Sequence, residues 1–464
     1  MQRPRRLGQK LTAAAQISED KLDALKAAYA KVDAYQPVFG LESTFTGRPI
    51  SRQCADRCEL LDSYLGTTAP NLRILDVGCS MGYLSLYFAK KGARVTGLDS
   101  HQPNLDFCTT LANTLGTSAS FVRGEFSIGF LESLKPGAFD VMFLFSVLHH
   151  VVAKFGLEAT RLMMDRVLSI SDEIYVELAR NTEAVSFEWK NKLPANELDI
   201  FSGIEDLEIT RLGEFPALGE TTIRPLYRVR KTAKRINGIR HSEMSVMRSA
   251  IRDGRTRDRK YYVSDAAFTK CFIVEPDKLE TYNRFACEVA AYKMLGRDRS
   301  ILPLLGSSID GNLALITLPT VSGGKLSEVL PSGDFPLRAT ALSILSILQR
   351  FSDSNLYWND FRAHNLAFYG GELVAMDFET ASPVEREHTL NLLLWMLWDL
   401  QTRRSNTVEN NVFQHGLMTI PRPPVDETAF SGEIRDIASA TLKAVSLKAL
   451  LQDVGSLTLK ALNQ

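Results

Sequence analysis

The stretch ILDVGCSMGYLSL, residues 74–86, decides the fold of the first half of the chain. It reads as a buried strand that carries Asp76, a turn that contains Gly78 and Gly82, and the start of a helix. Glycine lets the backbone turn tightly and approach a ligand, and the N-terminus of the next helix then faces that ligand. The stretch therefore predicts a ligand crevice at the carboxyl end of a strand, although many glycine turns of this kind bind nothing.

The sequence around this stretch alternates in the same way. Between residues 73 and 177, the short apolar runs RILDVG, ARVTGLD, FDVMFLFS and EIYVELA alternate with helical patterns. This is a βαβ pattern, and it predicts a parallel, doubly wound α/β sheet of Rossmann-like type. We assign residues 35–227 to this domain and residues 1–34 to an N-terminal helical segment, since a capped amphipathic pattern begins at Ser18.

A second acidic residue points to an adenosine-bearing cofactor. Asp99 ends the next predicted strand, where a carboxylate can accept hydrogen bonds from both ribose hydroxyls. The spacing Asp-x-Gly-x-x-x-Gly, from Asp76 to Gly82, differs from the dinucleotide pattern Gly-x-Gly-x-x-Gly. It resembles motif I of the class I S-adenosylmethionine-dependent methyltransferases, in which an acid at the position of Asp99 binds the ribose.

Two further segments fit this resemblance. The tripeptide Gly124, Glu125 and Phe126 is similar to the loop that flanks the adenine in that family, and FDVMFLFSVLHH is similar to its fourth strand. His149 and His150 follow at the end of this segment, where open α/β sheets keep their ligand crevices. They are candidate catalytic residues, but histidines at a strand end are as often only structural.

A different set of polar residues occurs in the second half of the chain. The segment YWNDFRAHNLAF, residues 357–368, places Asp360 five residues before Asn365, and the apolar strand LVAMDFET then ends at Asp377. Phosphoryl transfer needs such a set, because one carboxylate accepts or orients the hydroxyl proton while an amide and a second carboxylate hold Mg²⁺ on the phosphates. We therefore predict Asp360 as the catalytic base and Asn365 and Asp377 as metal ligands.

Two upstream residues complete a kinase-like order. Lys270 lies in the predicted strand FTKCF and Glu288 in the predicted helix RFACEVAAYKML. They match the lysine–glutamate ion pair of the protein-kinase N-lobe, in which the lysine binds the ATP phosphates. The second domain is therefore predicted to be an α+β, bilobal, protein-kinase-like domain over residues 228–464, with its N-lobe ending near residue 318.

The kinase pattern has clear departures. Trp358 stands where protein kinases have the histidine of His-Arg-Asp, and Glu379 stands where they have the glycine of Asp-Phe-Gly. Neither a Gly-x-Gly-x-x-Gly loop before Lys270 nor an Ala-Pro-Glu segment is present in the sequence. The departures favour a substrate other than protein, and they leave open an inactive kinase-like scaffold.

The two halves together resemble the WbdD-type bifunctional kinase–methyltransferases that terminate polymannose O-antigen chains. The resemblance runs through YQPVFG, SRQCADRCELL, LDVGCSMGYLSL, SVLHH, GEFPALGETTIRPLYRV and the kinase-like stretches. It implies S-adenosylmethionine, ATP and Mg²⁺ as cofactors, and a glycan terminus that is phosphorylated and then methylated on that phosphate. It also implies further residues around S-adenosylmethionine, namely Tyr35, Gln36, Arg57, Asn104 and Phe145.

Composition limits the partners. With 54 Lys and Arg against 54 Asp and Glu, no net charge draws the chain to nucleic acid, and the basic residues between 228 and 260 have no interleaved aromatics. The six cysteines lack the spacing of a zinc site, and no run of 18 apolar residues occurs. We expect a cytoplasmic protein without a transmembrane segment; a glycosyltransferase or polymerase partner and a peripheral location at the inner face of the membrane stay open, because membrane attachment does not carry over from the resemblance.

Overall fold

The computed structural model describes residues 17–66, 72–218, 222–246, 259–276, 279–384, 389–404 and 423–453. The chain forms two compact units that divide between Thr232 and Ala233. The predicted boundary at Arg228 falls a few residues earlier, inside a strand that belongs to the first unit and runs to Lys231. A boundary there would cut this strand, which is why the division lies beyond it.

The first unit is built on a seven-stranded sheet. Its strands are β1 (Arg73–Val77), β2 (Arg94–Asp99), β3 (Ser120–Arg123), β4 (Val141–Phe145), β5 (Glu173–Glu177), β6 (Leu207–Leu218) and β7 (Thr222–Lys231). Their order is β3-β2-β1-β4-β5-β7-β6, with β1 to β5 parallel and β7 antiparallel between β5 and β6. The order reverses between β1 and β4, so the predicted doubly wound sheet is confirmed and its crevice lies at that switch point.

Helices cover both faces of this sheet. They are α1 (Glu19–Tyr29), α2 (Ala55–Leu65), α3 (Tyr83–Lys90), α4 (Gln102–Leu115), α5 (Ile128–Ser133), α6 (Leu148–Phe155) and α7 (Leu157–Ile170). Every residue of β1 and β4 is buried, as expected for strands covered on both sides. Helix α1 packs against α4 with Leu25 and Tyr29 buried, so the predicted N-terminal segment is part of this unit. Residues 1–16 of that segment lie outside the described residues.

The second unit begins with antiparallel strands and one long helix. These elements are β8 (Lys234–Ile236), β9 (Ile239–His241), β10 (Glu243–Val246), β11 (Arg259–Val263), β12 (Ala267–Ile273), α8 (Leu279–Leu295), β13 (Gly306–Asp310) and β14 (Leu313–Pro319). Five of the strands form a sheet of order β10-β11-β12-β14-β13, and α8 packs against β12 and β14. A five-stranded antiparallel sheet with one helix after its third strand is the arrangement of a protein-kinase N-lobe.

The remainder of this unit is mostly helical. Its elements are α9 (Leu326–Val329), α10 (Leu337–Asp353), β15 (Leu366–Tyr369), β16 (Glu372–Ala375), α11 (Thr389–Thr402) and α12 (Arg435–Lys443). The hairpin β15–β16 lies between the segments of Asn365 and Asp377, and one apolar core joins the hairpin, the helices and α8. The predicted kinase-like fold is therefore confirmed for the second unit.

Trp358 explains one departure from the kinase pattern. Its side chain is buried and stacks on Phe351, with a ring separation of 5.4 Å, and it also contacts Phe361 and Phe378. Its indole Nε1 donates a hydrogen bond to the backbone oxygen of Asp377 at 3.1 Å. Trp358 thus fills the core beneath the site and supports the segment that carries Asp377.

Candidate functional site

A cavity of about 540 Å³ lies at the carboxyl ends of β1, β2 and β4. It occupies the switch point of the sheet, where α/β folds of this type bind their ligands. Most of the residues predicted for the first site line it. They are Tyr35, Gln36, Asp76, Gly78, Asp99, Gly124, Glu125, Phe126, Phe145, His149 and His150.

The loop after β1 is shaped by left-handed backbone conformations. Gly78, Ser80 and Gly82 have φ angles of 66°, 51° and 73°. A Cβ atom at Gly78 would lie 2.8 Å from Val147 Cγ2, so only glycine fits there without displacement. The turn brings the backbone N–H of Ser80 to Asp99 Oδ2 at 2.9 Å, which fixes this carboxylate in the wall of the cavity.

Both acids of the predicted motif are held by hydrogen bonds. Asp99 accepts a second backbone hydrogen bond from His101 N to Oδ1 at 2.8 Å. Asp76 is buried and accepts a hydrogen bond from Ser85 Oγ at 2.6 Å. Burial raises the pKa of Asp76 to about 6, with the bond from Ser85 acting in the opposite direction. Both carboxylates line the cavity, and Asp76, the more buried of the two, also connects β1 to α3 through Ser85.

A second site lies in the other unit, around the side chain of Lys270. Lys270 Nζ is 3.1 Å from Glu288 Oε2 and 2.8 Å from Asp377 Oδ1. The lysine and Glu288 are both buried. Burial would lower the pKa of Lys270, but attraction by Asp377, Glu288 and Glu379 outweighs it and holds that pKa well above its usual value. The ion pair predicted between Lys270 and Glu288 is present.

The predicted base and metal ligands adjoin this lysine. Asn365 Nδ2 donates hydrogen bonds to the backbone oxygen of Asp360 at 2.8 Å and to its Oδ2 at 3.1 Å. The backbone N–H of Met376 donates to the backbone oxygen of Asn365 at 3.0 Å, which brings Asp377 beside Asn365. Asp377 has a φ angle of 66°, a strained conformation for a residue with a side chain.

These donors suit a magnesium ion. The NH₂ group of Asn365 is used by Asp360, so its Oδ1 remains for a cation, and Asp377 has one carboxylate oxygen beyond the one that contacts Lys270. Carboxylate and amide oxygens are the ligands that Mg²⁺ prefers, together with substrate phosphates. In the described part of the chain, the acids Glu288, Asp377 and Glu379 also offer oxygens within 4.8 Å of one another, but the ammonium of Lys270 contacts all three.

Comparison with known proteins identifies the first unit. Residues 74–169 match the family model described as a methyltransferase domain. The first unit thus contains a segment that matches a methyltransferase domain. The match covers β1 to α7, including the loop after β1 and the acid of β2.

Two curated relatives extend the comparison. The O-antigen chain terminator bifunctional methyltransferase/kinase WbdD of Escherichia coli is 31% identical over 206 residues, which are 42% of this chain and 28% of the relative. A ubiquinone biosynthesis O-methyltransferase of Colwellia psychrerythraea is 36% identical over 102 residues, 22% of this chain and 40% of that protein. The chain thus spans less than half the length of either relative.

Solved structures of WbdD are also similar to this chain. A medium-resolution structure of the bifunctional kinase–methyltransferase covers 80% of this chain and 85% of its own, at 22% identity and a TM-score of 0.43. The resemblance to WbdD-type methyltransferase/kinases that the motifs indicated is confirmed by the sequence match to the E. coli protein.

The prediction that Arg57 lies beside the cofactor is wrong. Arg57 does not line the cavity, because its Nε pairs with Glu177 Oε2 at 2.7 Å and its Nη2 donates to the backbone oxygen of Pro216 at 2.6 Å. Arg52 lines the cavity instead, with Nη2 2.8 Å from Glu177 Oε1, and its Nε has no hydrogen-bond partner among the described residues. The two arginines share one buried carboxylate, and only Arg52 faces the ligand space.

Gly82 and Asn104 also lie outside the lining of the cavity. Gly82 is the N-cap of α3, and a Cβ there would lie 2.9 Å from Cys108 Sγ. Asn104 is in the first turn of α4, with Oδ1 3.3 Å from His101 Nδ1. These two residues shape the loops that hold the cavity and do not form its wall.

The two histidines occupy the other end of the cavity. They lie in the first turn of α6, not at the end of β4 as predicted, because β4 stops at Phe145. His149 is 5% exposed and packs against His150 and Trp189, with ring separations of 4.1 and 4.5 Å. Burial, reinforced by His150 and nearby arginines, lowers the pKa of His149 to about 2. A neutral imidazole therefore faces the ligand, and it is a poor candidate for a proton acceptor.

The pKa of His149 predicts how the stability of the methyltransferase domain depends on pH. The unfolded chain takes up a proton on His149 below pH 6.5, whereas the folded domain does not until about pH 2. Stability is therefore lost as the pH falls below 6.5, by about 2 kcal/mol between pH 6.5 and 5. Denaturant titrations should show a clearly smaller slope for His149→Gln than for the wild type. His101→Gln is the control, because His101 is exposed at the N-cap of α4; it should keep the wild-type slope, and an equal slope in all three proteins would contradict the assignment.

Glu379 is the residue of the second site that the sequence did not reveal. Its Oε2 is 2.5 Å from Arg259 Nη2, and it also contacts Lys270. Burial alone would raise the pKa of Glu379, but Lys270 and Arg259 outweigh it and lower that pKa to about 2. Glu379 stays ionised, and it gives Lys270 a third carboxylate.

Proposed function

We propose that the chain is a bifunctional enzyme that phosphorylates the terminal sugar of an O-antigen-like glycan with Mg-ATP and then methylates that phosphate with S-adenosylmethionine. The methylated phosphate would cap the chain and stop its elongation. One observation carries the proposal, namely that a methyltransferase-like cavity lined by Asp99 and a kinase-like set around Lys270 occur in one chain. The name of the E. coli relative, an O-antigen chain terminator with both activities, supports the choice of substrate.

In the phosphoryl step, Asp360 accepts or orients the proton of the attacking sugar hydroxyl. Asn365 and Asp377 would hold Mg²⁺, which supplies positive charge to the phosphates of ATP. Lys270, fixed by Glu288, contacts the same phosphates as a point charge. These residues mainly position the reactants and stabilise charge, as phosphoryl transfer requires.

In the methyl step, the acceptor needs orientation more than activation. A phosphate monoester carries close to two negative charges at neutral pH, so it can attack a methyl sulfonium without losing a proton to the enzyme. Asp99, whose two oxygens are oriented by backbone N–H groups, binds the ribose hydroxyls of the cofactor. The neutral His149 at the other end of the cavity is consistent with a reaction that uses no general base.

Mass spectrometry tests the coupled reaction directly. The protein is incubated with Mg-ATP, S-adenosylmethionine and short synthetic mannosides, and each cofactor is omitted in turn. We expect a mass gain of one phosphate with ATP alone, and of one methyl phosphate only when both cofactors are present. Methylation of the glycan without ATP would contradict the proposed order of the two steps.

An inactive kinase-like scaffold is the second candidate. The specific observation in its favour is that three carboxylates surround Lys270, so the lysine that should bind phosphate is already fully paired. Calorimetry distinguishes the two candidates without an acceptor. Binding of Mg-ATP supports the enzyme, whereas no binding of Mg-ATP by protein that binds S-adenosylmethionine normally would establish the scaffold.

Replacing Asp99 tests the cofactor site. We expect Asp99→Ala to raise the Kd of S-adenosylmethionine by about 10- to 100-fold, because two hydrogen bonds to a charged group are lost together. Asp106→Ala is the matched control, since Asp106 is exposed on α4 and its side chain accepts a hydrogen bond from Gln102 on the same helix. Titration calorimetry measures both constants, and an unchanged Kd for Asp99→Ala would remove Asp99 from the site.

A further inference from the structure

The end of the cavity near the histidines is closed by a chain of buried hydrogen bonds. Arg224 donates from Nε and Nη2 to the two oxygens of Glu183, each at 2.8 Å, and from Nη1 to Ser146 Oγ at 3.0 Å. Ser146 Oγ in turn donates to Glu177 Oε1 at 2.5 Å, and Arg52 donates to the same oxygen at 2.8 Å. The two arginines are therefore fixed at either side of Ser146.

The two arginines face the cavity, but their acidic partners do not. Arg52, Ser146 and Arg224 line the cavity, whereas Glu177 and Glu183 are buried behind them. A guanidinium carries five N–H bonds, and three of those of Arg224 donate to Glu183 and Ser146. The end of the cavity thus offers hydrogen-bond donors held in place and no carboxylate, which is a surface suited to an anion.

The carboxylates of the cavity lie at the cofactor end. Asp76 lies in β1, Asp99 is the last residue of β2, and Glu125 pairs with Lys154. A phosphate entering the cavity is therefore attracted to the end that holds Arg224 and Arg52. Burial is the main cause of the lowered pKa values of His149 and His150, and Arg224 contributes to both.

An aromatic surface adjoins Arg224 on the cavity side. The guanidinium of Arg224 lies 5.6 Å from the ring centre of Trp189, and Trp189 is stacked on Phe187 at 5.9 Å with an angle of 18° between the rings. Phe187 lines the cavity and is 51% exposed, which is unusual for so large an apolar side chain. The C–H face of a sugar ring is apolar and packs well on the negative face of an aromatic ring.

We propose that Arg224 binds the phosphate of the methyl acceptor and that Phe187 and Trp189 bind the sugar ring to which this phosphate is attached. The inference rests on the proposed function and specifies its substrate as a sugar phosphate monoester. One phosphate oxygen forms the new bond to the methyl carbon while the carbon–sulfur bond breaks and its electron pair stays on sulfur. The acceptor loses one negative charge and no proton moves, so the product binds Arg224 more weakly than the substrate does.

Binding measurements on three variants test this subsite. The probes are a mannoside that carries a phosphate monoester, the same mannoside without phosphate, and inorganic phosphate, each titrated into protein saturated with S-adenosylhomocysteine. We expect Arg224→Gln to weaken binding of the phosphorylated mannoside and of inorganic phosphate by about 10- to 100-fold. We expect Phe187→Ala to weaken binding of the phosphorylated mannoside by several-fold and to leave inorganic phosphate unchanged.

Arg228→Gln is the matched control for Arg224→Gln. Arg228 lies on the same strand and pairs with Glu173, but it does not line the cavity. Its replacement should leave all three titrations unchanged. Because Arg224→Gln leaves Glu183 buried without its partner, the double variant Arg224→Gln/Glu183→Gln is measured as well, and normal binding of S-adenosylmethionine shows that each variant is folded.

The outcomes separate the subsite from the function. If the wild type methylates the phosphorylated mannoside and Arg224→Gln binds it as tightly as the wild type does, the subsite is wrong and the proposed function stands. If the wild type binds S-adenosylmethionine but neither binds nor methylates the phosphorylated mannoside, the proposed function fails and the subsite with it. Loss of phosphate binding in the Arg228→Gln control would also overturn the subsite, since phosphate binding would then depend on positive charge in general and not on Arg224.

Discussion

Replacing Asp360 with asparagine should lower phosphorylation of the glycan by about 10²- to 10⁴-fold, the usual contribution of a positioned base. The substitution keeps the shape of the side chain, so the hydrogen bond from Asn365 can still form, while the carboxylate that takes the proton is lost. Methyl transfer to a chemically phosphorylated mannoside should be unchanged, because that reaction takes place in the other unit. Rates of both steps, measured separately with labelled ATP and labelled S-adenosylmethionine, check this expectation.

Asp436→Asn is the control for this substitution. Asp436 belongs to the same unit but pairs with Arg338 at the surface, at 2.8 Å. Its replacement should leave both rates within a factor of about two. Equal phosphorylation by wild type and Asp360→Asn would show that Asp360 is not the base, and Mg-ATP binding by the variant shows whether the site itself is intact.

Replacing Glu177 with glutamine should destabilise the first unit by about 3–5 kcal/mol, the cost of leaving buried charges without their partner. Glu177 is completely buried and pairs with both Arg52 and Arg57. Its loss leaves two buried guanidinium groups facing a neutral amide. Urea unfolding of the full chain, followed with and without S-adenosylmethionine to identify the transition of the first unit, measures the change.

The control is Glu208→Gln, which removes an ion pair with Arg230 that is about 40% exposed on both sides. A pair of this kind contributes at most about 1 kcal/mol. If Glu177→Gln cost no more than Glu208→Gln, the buried ion pairs would not support the wall of the cavity. If Glu177→Gln instead shifted an unfolding transition that does not respond to S-adenosylmethionine, the destabilisation would lie in the other unit.

The sequence predicts the parts of both sites that depend on local pattern. Asp76, Gly78 and Asp99 lie at strand ends within a βαβ alternation, and their positions follow from the period of the apolar residues and the turn chemistry. Lys270 and Glu288 were likewise predictable, because a strand and the following helix fix them relative to each other. In these cases the order and spacing of the site residues can be read from the sequence, and the structure supplies the distances between their side chains.

Contacts between distant segments were not predictable in this way. Arg52 and Arg57 are close in sequence and chemically identical, and only the position of Glu177 in the folded domain decides which of them faces the cavity. Glu379 looked like a defect in the kinase pattern. Its role depends on Arg259, which lies 120 residues earlier, at the start of β11.

The ion pairs behind the cavity also bear on the order in which the first unit folds. Arg52 and Glu177 are 125 residues apart, and Arg57 and Pro216 are 159 apart. Contacts of such long sequence separation are slow to form, because the entropy of closing the loop must be lost before the contact is gained. We therefore expect the parallel strands to assemble first and the segment from Tyr35 to Arg57 to dock late. The cavity is lined in part by this segment, so it is complete only after the transition state of folding. Interactions that form so late change the rate of unfolding and not the rate of folding. Bound cofactor should therefore lengthen the lifetime of the folded domain without accelerating its formation.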